Sequence, residues 1–204
     1  MPETYIVIAA YNEEKSISEV VKGLKKEGYR NIVVVDDCSR DRTQERAEKA
    51  GAVVLRHVIN RGQGAALQTG MAYSLRKGAD IIVNFDADNQ HSPKEVKDVI
   101  RPIKEGKADA ALGSRFLNRR SNVPFIKKIV LKAGVLFTFI FSGIWLTDTH
   151  NGFRAFSRKA AARIDIQQDR MEHASEIIDQ IKRKGISYVE VPVTISYDEG
   201  GQSP

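Results

Sequence analysis

DIIVNFDADNQHSPKEV, residues 80–96, decides how the rest of the chain is read. DIIVNF (80–85) is a short apolar run, rich in β-branched residues and without alternation, as in a strand buried on both faces. Ser92, Pro93 and Glu95 then form an N-cap, a first-turn proline and a capping-box acid. Behind them Val96, Val99, Ile100 and Ile103 make the apolar face of a helix. Between strand and helix stand Asp86, Asp88 and Gln90. Two carboxylates this close repel, and both lose solvation at a strand end. A divalent cation relieves both costs, and oxygen-only ligands suit magnesium or manganese bound together with substrate phosphates. The competing reading is a loop cap at Asp86 and a solvated Asp88. The position between a buried strand and a capped helix favours the cation.

The same grammar repeats on either side. TYIVIAA (4–10), NIVVV (31–35), AVVL (52–55) and ADAALGS (108–114) read as further strands. Between them lie a helix with Ile17, Val20, Val21 and Leu24 on one face and Gly28 at its end, a polar helix over 41–51, and a helix over 63–78. Strands alternating with helices imply βαβ units, hence an α/β fold with a Rossmann-like, mostly parallel sheet flanked by helices. Ligands of such sheets sit at the carboxyl ends of the strands. The polar clusters fall there: Tyr11, Asn12 and Glu13, then Asp36 and Asp37, then Asp86 and Asp88, then Arg115.

The chain has 204 residues, enough for one sizeable core and best fitted by one domain. Its net charge of +6 and pI near 9.4 suit an anionic partner without choosing among nucleotide, phospholipid and nucleic acid. Cys38 is the one cysteine, so no internal disulfide is possible, which fits a reducing compartment. The N-terminal MPETYIVIAAYNEE has no basic region, and its apolar run is too short for a signal peptide. His57, His91, His150 and His173 lack zinc spacing and read as structural or exposed. A carboxylate at 36 or 37 can accept a base N–H or orient a ribose, while the other opens an Asx-turn. NRGQGAALQTG (60–70) lacks the third glycine of a dinucleotide fingerprint, having Leu67 there. Its Gly62 and Gly64 let a loop and a helix start approach an anionic ligand, or pack the helix closely. The stretch 129–146 is apolar except for Lys132, and its uncharged part falls short of the roughly 20 residues that span a bilayer. With Lys127 and Lys128 before it, and Phe137, Phe139, Phe141 and Trp145 along it, it suits an anionic membrane surface or a buried helix pair.

AAYNEE, VVDDCSRD, NRGQGAALQTG, NFDADNQH, LGSR, LTDTHNGFRAFSR, and HASE followed by VEVPV stand in order along nearly the whole chain. In this it resembles family-2 glycosyltransferases of the GT-A fold, and most closely the polyprenyl-phosphate (dolichyl-phosphate) mannosyl- and glucosyltransferases. The resemblance implies a single GT-A domain over 1–204 with interfacial helices within 125–146. It implies inverting, metal-dependent transfer of a sugar from a nucleotide-diphosphate sugar to a polyprenyl phosphate, with no nucleic acid involved. Ala10, Tyr11, Glu13, Asp36, Asp37, Gly64 and Asp86 would bind the nucleotide. Asp86, Asp88 and Gln90 would hold Mg2+ or Mn2+. Asp88, Arg115 and Asp148 would serve catalysis, and Gly152, Phe153 and Arg154 the acceptor. The expected location is cytoplasmic, at the inner face of the membrane, with any firm anchoring left to a membrane protein subunit. The sequence departs from the family where Ala9 replaces a common proline, where Gln63 replaces a frequent lysine, and in SYDEGGQSP, which lacks a basic closing loop. A rival reading is a non-processive transferase acting on a sugar hydroxyl of a glycan or its precursor, with Asp148, Glu172 or Glu176 as base. A nucleotidyltransferase and a catalytically silent partner fit less well.

Overall fold

The computed structural model describes residues 2–117, 146–149 and 151–196. In chain order the elements are β1 (Thr4–Ala10), α1 (Ile17–Lys26), β2 (Asn31–Asp36), α2 (Thr43–Ala50), β3 (Val53–Arg56), α3 (Gln63–Arg76), β4 (Ile81–Asn84), a 3-10 turn (Pro93–Glu95), α4 (Val96–Lys104), β5 (Ala110–Ser114), β6 (Arg154–Ser157), α5 (Arg158–Ala161), α6 (His173–Arg183) and β7 (Tyr188–Pro192). The described strands form one seven-stranded sheet in the order β3-β2-β1-β4-β6-β5-β7. All ladders are parallel except those of β6, which runs antiparallel to both β4 and β5.

The central strands are apolar on both faces because both faces are covered, whereas the edge strands β3 and β7 are partly exposed. Ile6, Ile8, Val34 and Val83 pack with Val20, Leu24, Val96 and Ile100 of α1 and α4. Val7, Ile82 and Phe156 pack with Leu67, Met71, Ile177 and Ile181 of α3 and α6 on the other side. Each fully buried aliphatic side chain contributes roughly 1.5–3 kcal/mol, so the alternation of strand and helix is fixed by burial. Gly28 and Gly51 follow α1 and α2 with φ of 91° and 88°, left-handed geometry that glycine adopts without strain.

Three features differ from the sequence reading. β6 and β7 are added, and β6 is antiparallel. The chain leaves β5 at the carboxyl end of the sheet and re-enters at that end, so β6 must run backwards. Its four residues, RAFS, are too short to show a period. The capping box is also absent: the Ser92 side chain caps nothing. Glu95 instead accepts the Thr194 N–H at 3.0 and 3.2 Å, and Ser196 N donates to Gln90 O at 3.0 Å, so the segment after β7 is clipped beside residues 90–95. The membrane-facing stretch expected over 125–146 lies outside the described residues, save Leu146, which is buried in the core. No helix among the described residues is long and apolar enough to cross a membrane.

Gly70 tests the α3–sheet distance. A Cβ there would stand 2.3 Å from Val7 Cγ1 and 3.2 Å from Val35 Cγ2. Alanine gains about 1 kcal/mol in helix propensity, but overpacking costs about 1–3 kcal/mol. Gly70→Ala is expected to lower the urea midpoint. A higher midpoint would show that α3 moves off the sheet without cost.

Candidate active site

Three loops at the carboxyl ends of β1, β2 and β4 each carry a non-glycine residue in the left-handed region: Asn12 at φ 56°, Cys38 at 64° and Asn89 at 63°. Such residues persist only where neighbours hold them. Asn12 N donates to Ser39 Oγ at 2.9 Å, and its Oδ1 accepts Arg40 N at 2.8 Å. Glu13 N donates to Thr43 Oγ1 at 2.7 Å. The first two loops are therefore one laced unit.

The two adjacent aspartates divide the work. Asp36 is fully buried; its Oδ1 accepts Ser39 N at 3.0 Å, and Arg56 Nε stands 3.4 Å from its Oδ2. It builds the turn. Asp37 faces the cavity and organises the loop before α3: its Oδ1 takes His57 Nδ1 at 2.7 Å and Arg61 N at 3.0 Å, and its Oδ2 takes Gly62 N at 2.6 Å. His57 Nε2 in turn lies 3.0 Å from the Thr69 hydroxyl, which also stands 2.9 Å from Ala65 O.

Asp86 and Asp88 project from the end of β4 into the same cavity. His91 Nε2 lies 2.9 Å from Asp86 Oδ2. A Cβ on Gly152 would meet the two Asp86 oxygens at 2.5 and 2.8 Å, so glycine is required there for the carboxylate to fit. Desolvation pushes Asp86 upward, but the hydrogen bond and charge of His91, with Arg154 and His173 beyond, outweigh it and leave the carboxyl below its ordinary value. Asp88 is raised, by desolvation first and by the Asp86 charge, against the N–H of Gln90. Glu13 is raised as well, by desolvation and then by Asp88, Asp41 and Asp86, against a hydrogen bond from Ser16. The far wall is basic. Arg154 is buried, and desolvation lowers it to about 10 against the pull of Asp148 and Asp86. His173, in the first turn of α6, is lowered by desolvation.

The cavity encloses about 450 Å³, the size of a small-molecule site. Of the residues expected from sequence, Ala10, Tyr11, Glu13, Asp37, Asp86, Asp88, Gly152 and Arg154 line it. The others do not. Gly64 packs under the backbone of Gln168, whose oxygen would lie 2.0 Å from an added Cβ, so the glycine serves packing. Phe153 is fully buried, edge-on to Phe85 with ring centres 5.1 Å apart. Arg115 Nε donates to Asp148 Oδ2 at 2.6 Å in a buried ion pair away from the cavity wall. Gln90 contributes its backbone N–H to Asp88. Sequence reasoning missed Asn60, Asn84 and His173 as wall residues, and His91 as the partner of Asp86. Asn60, His91 and His173 carried no spacing signal, whereas Asn84 stands two residues before Asp86.

The chain belongs to glycosyl transferase family 2, which matches residues 5–165. It is 45% identical to an uncharacterised protein of Methanocaldococcus jannaschii over 98% of this chain and 84% of that one. It is 34% identical to the UDP-N-acetylglucosamine–dolichyl-phosphate N-acetylglucosaminyltransferase of Methanococcus voltae, over 96% and 86% of the two chains. It is 29% identical to the polyprenol monophosphomannose synthase of Mycolicibacterium smegmatis, over 98% and 80%. Among solved structures, glucosyl-3-phosphoglycerate synthase of Mycobacterium tuberculosis, in complex with Mn2+, UDP-glucose and phosphoglyceric acid, superposes with a TM-score of 0.78 at 19% identity, covering 98% of this chain and 73% of that one. The fold is thus GT-A, and the chain is a glycosyltransferase.

The raised Asp88 gives a stability test. A carboxyl whose folded value exceeds its unfolded one favours folding at low pH, and that advantage is lost as pH rises through the folded value. At pH 7 without cation or nucleotide, Asp88→Asn should therefore melt higher than wild type. The difference should shrink as the pH falls through the raised folded value and vanish below the ordinary carboxylate value. Melting curves from pH 3.5 to 7.5 check both the sign and the trend.

Proposed function

We propose that the protein transfers a sugar, with inversion, from a nucleotide-diphosphate sugar to a polyprenyl phosphate at the membrane surface. The observation that carries this is one cavity joining a laced nucleoside end, at Tyr11 and Asp37, to a paired-carboxylate end, at Asp86 and Asp88. The relatives named for dolichyl- and polyprenyl-phosphate sugar transfer match over nearly all of this chain, which supports the acceptor class.

Mg2+ or Mn2+ fits the carboxylate end. Asp86 and Asp88 offer hard oxygen ligands. No group of three or more metal-ligating side chains is assembled among the described residues. A cation held by two carboxylates keeps open positions for phosphate oxygens and water, as magnesium sites do. When bound, it would neutralise the charge developing on the leaving diphosphate. Asp37 positions the loop that borders the nucleoside, and Arg154 keeps a positive charge beneath the carboxylate wall.

A lipid phosphate is already anionic and needs no deprotonation, whereas a sugar hydroxyl needs a base. Two of the carboxylates considered for that task are engaged. Asp148 binds Arg115, and Glu176 accepts the amides of Gln167 and Gln168 at 2.9–3.1 Å. Glu172 does not line the cavity. This supports the phosphate acceptor over the hydroxyl acceptor. The membrane contact assigned to 125–146 is part of the proposal.

Radiolabelled UDP-glucose, UDP-N-acetylglucosamine and GDP-mannose, each offered with undecaprenyl phosphate and manganese, test the reaction. One donor is expected to yield a chloroform-soluble labelled lipid. Asp88→Ala or excess chelator should abolish it. Efficient labelling of soluble glycans, with none of the lipid, would overturn the acceptor class.

The two aspartates of β2 separate binding from folding. Asp37→Ala is expected to weaken binding of the donor's nucleoside diphosphate by roughly tenfold or more, the loss of about 1.5–3 kcal/mol. Asp36→Ala should lower thermal stability and leave the affinity of the folded fraction near wild type. Calorimetry with UDP and GDP, paired with melting curves, decides it.

A further inference from the structure

The inner end of the cavity holds polar groups that neither the cation nor the nucleoside uses. Asn84 closes β4, and its cross-strand partner on β6 is Arg154. Both are buried, yet both line the cavity. Asn84 Nδ2 has only the Met71 sulfur for company, at 3.9 Å, and Asn84 Oδ1 has no hydrogen-bond partner. An unpaired acceptor in an interior costs about 1–3 kcal/mol, so one on a side chain that lines a cavity marks a place for a donor. Arg154 gives Nε, Nη1 and Nη2 to the carbonyls of Asn151, Ala174 and Thr149 at 3.0, 3.2 and 3.0 Å. With five N–H groups, the guanidinium keeps two beyond those bonds. His173 Nδ1 donates to Arg170 O at 2.7 Å, which leaves Nε2 as an acceptor on a side chain that lines the cavity.

We infer that Asn84, Arg154 and His173 form a hydroxyl-binding subsite that recognises the sugar of the donor. The chemistry selects the ligand. Two neutral acceptors beside one cationic donor match a hydroxyl, which gives one hydrogen bond and takes others. A phosphate would meet the lone pairs of Asn84 Oδ1 and His173 Nε2 and be repelled. The distance agrees: Asn84 precedes Asp86 by two residues, about 7 Å along an extended chain. That is within reach of a hexose whose phosphate is held at Asp86 and Asp88. Leu67 and Ile177 supply the apolar flank against which a sugar ring can lie. The subsite rests on the proposal that the donor is a nucleotide-diphosphate sugar.

The test is calorimetry with manganese, using UDP, GDP, UDP-glucose, UDP-N-acetylglucosamine and GDP-mannose. The wild type comes first. If it binds none of the nucleotide sugars, the donor reading itself falls, and the subsite falls with it before any variant is made. With a binding donor in hand, Asn84→Ala and His173→Phe should each weaken that nucleotide sugar about tenfold, as expected for one hydrogen bond. Affinity for the matching nucleoside diphosphate should stay within about twofold, which also shows that each variant is folded. Asn84→Ala removes no hydrogen bond between oxygen and nitrogen, so it keeps the test open if His173→Phe does not fold. Deoxy analogues of the donor give an independent arm. One analogue should bind the wild type about tenfold more weakly than the parent sugar and bind Asn84→Ala no more weakly than the parent does. Equal losses for nucleotide and nucleotide sugar, unchanged sugar affinity, or deoxy effects that simply add to the variant's would overturn the subsite while leaving the donor reading intact.

Discussion

The site depends on one buried cation. Among the described residues no carboxylate is in direct contact with Arg154, and its guanidinium is held by three backbone carbonyls, from Thr149, Asn151 and Ala174. Burying a charge is expensive unless hydrogen bonds and nearby opposite charge offset it. Asp148 and Asp86 supply that charge, and the group still titrates at about 10, so it is a cation at neutral pH. The bonds tie β6 to the loop before it and to the start of α6. Gly152 is thereby set against Asp86, and His173 is brought to the end of β4.

Charge balance across the cavity follows from the same placement. Asp86 is held below its ordinary value because His91, Arg154 and His173 lie on its side. Asp88, two residues on, is also drawn down by His91, but desolvation and the Asp86 charge outweigh that and raise it. The pair is asymmetric: one carboxylate is ready as an anion, and the other is poorly compensated by the protein. A bound cation would complete what the second one lacks.

Much of the fold was legible because it follows from period and punctuation. The five strands over 4–114 and the helices between them were found within a residue or two, since two-sided burial forces continuous apolar runs such as IVIAA and NIVVV. β6 escaped because RAFS is too short for a period and its partners, β4 and β5, are non-local. Glu95 shows a different limit. Its spacing from Ser92 is that of a capping box, but the Thr194 amide, brought in from the far end of the chain, captures its carboxylate. At the site, residues announced by a strand end were found. Those whose role depends on a second element were not: His91 needs Asp86 turned toward it, and His173 needs α6 brought to β4. Gly64 was the converse, a glycine at the start of α3 in a stretch that resembles a phosphate cradle but serves close packing against Gln168.

The aspartate pairs show why spacing carries more information than composition. Side chains alternate between the two faces of a strand, so the adjacent Asp36 and Asp37 must face opposite ways. One is committed to Ser39 and Arg56 on the buried side, and the other to His57 and the cavity. Asp86 and Asp88 lie beyond the end of β4, where Ala87 between them lines the cavity as well, so the loop rather than strand alternation brings both carboxylates there. Asn84, the last residue of β4, reaches the same cavity from the strand itself, whereas Phe85, its neighbour, packs into the opposite face of the sheet with Phe153. The stretch that fixes the fold therefore also sorts its own residues. Positions 84, 86 and 88 are available to a ligand, and 85 is claimed by the core.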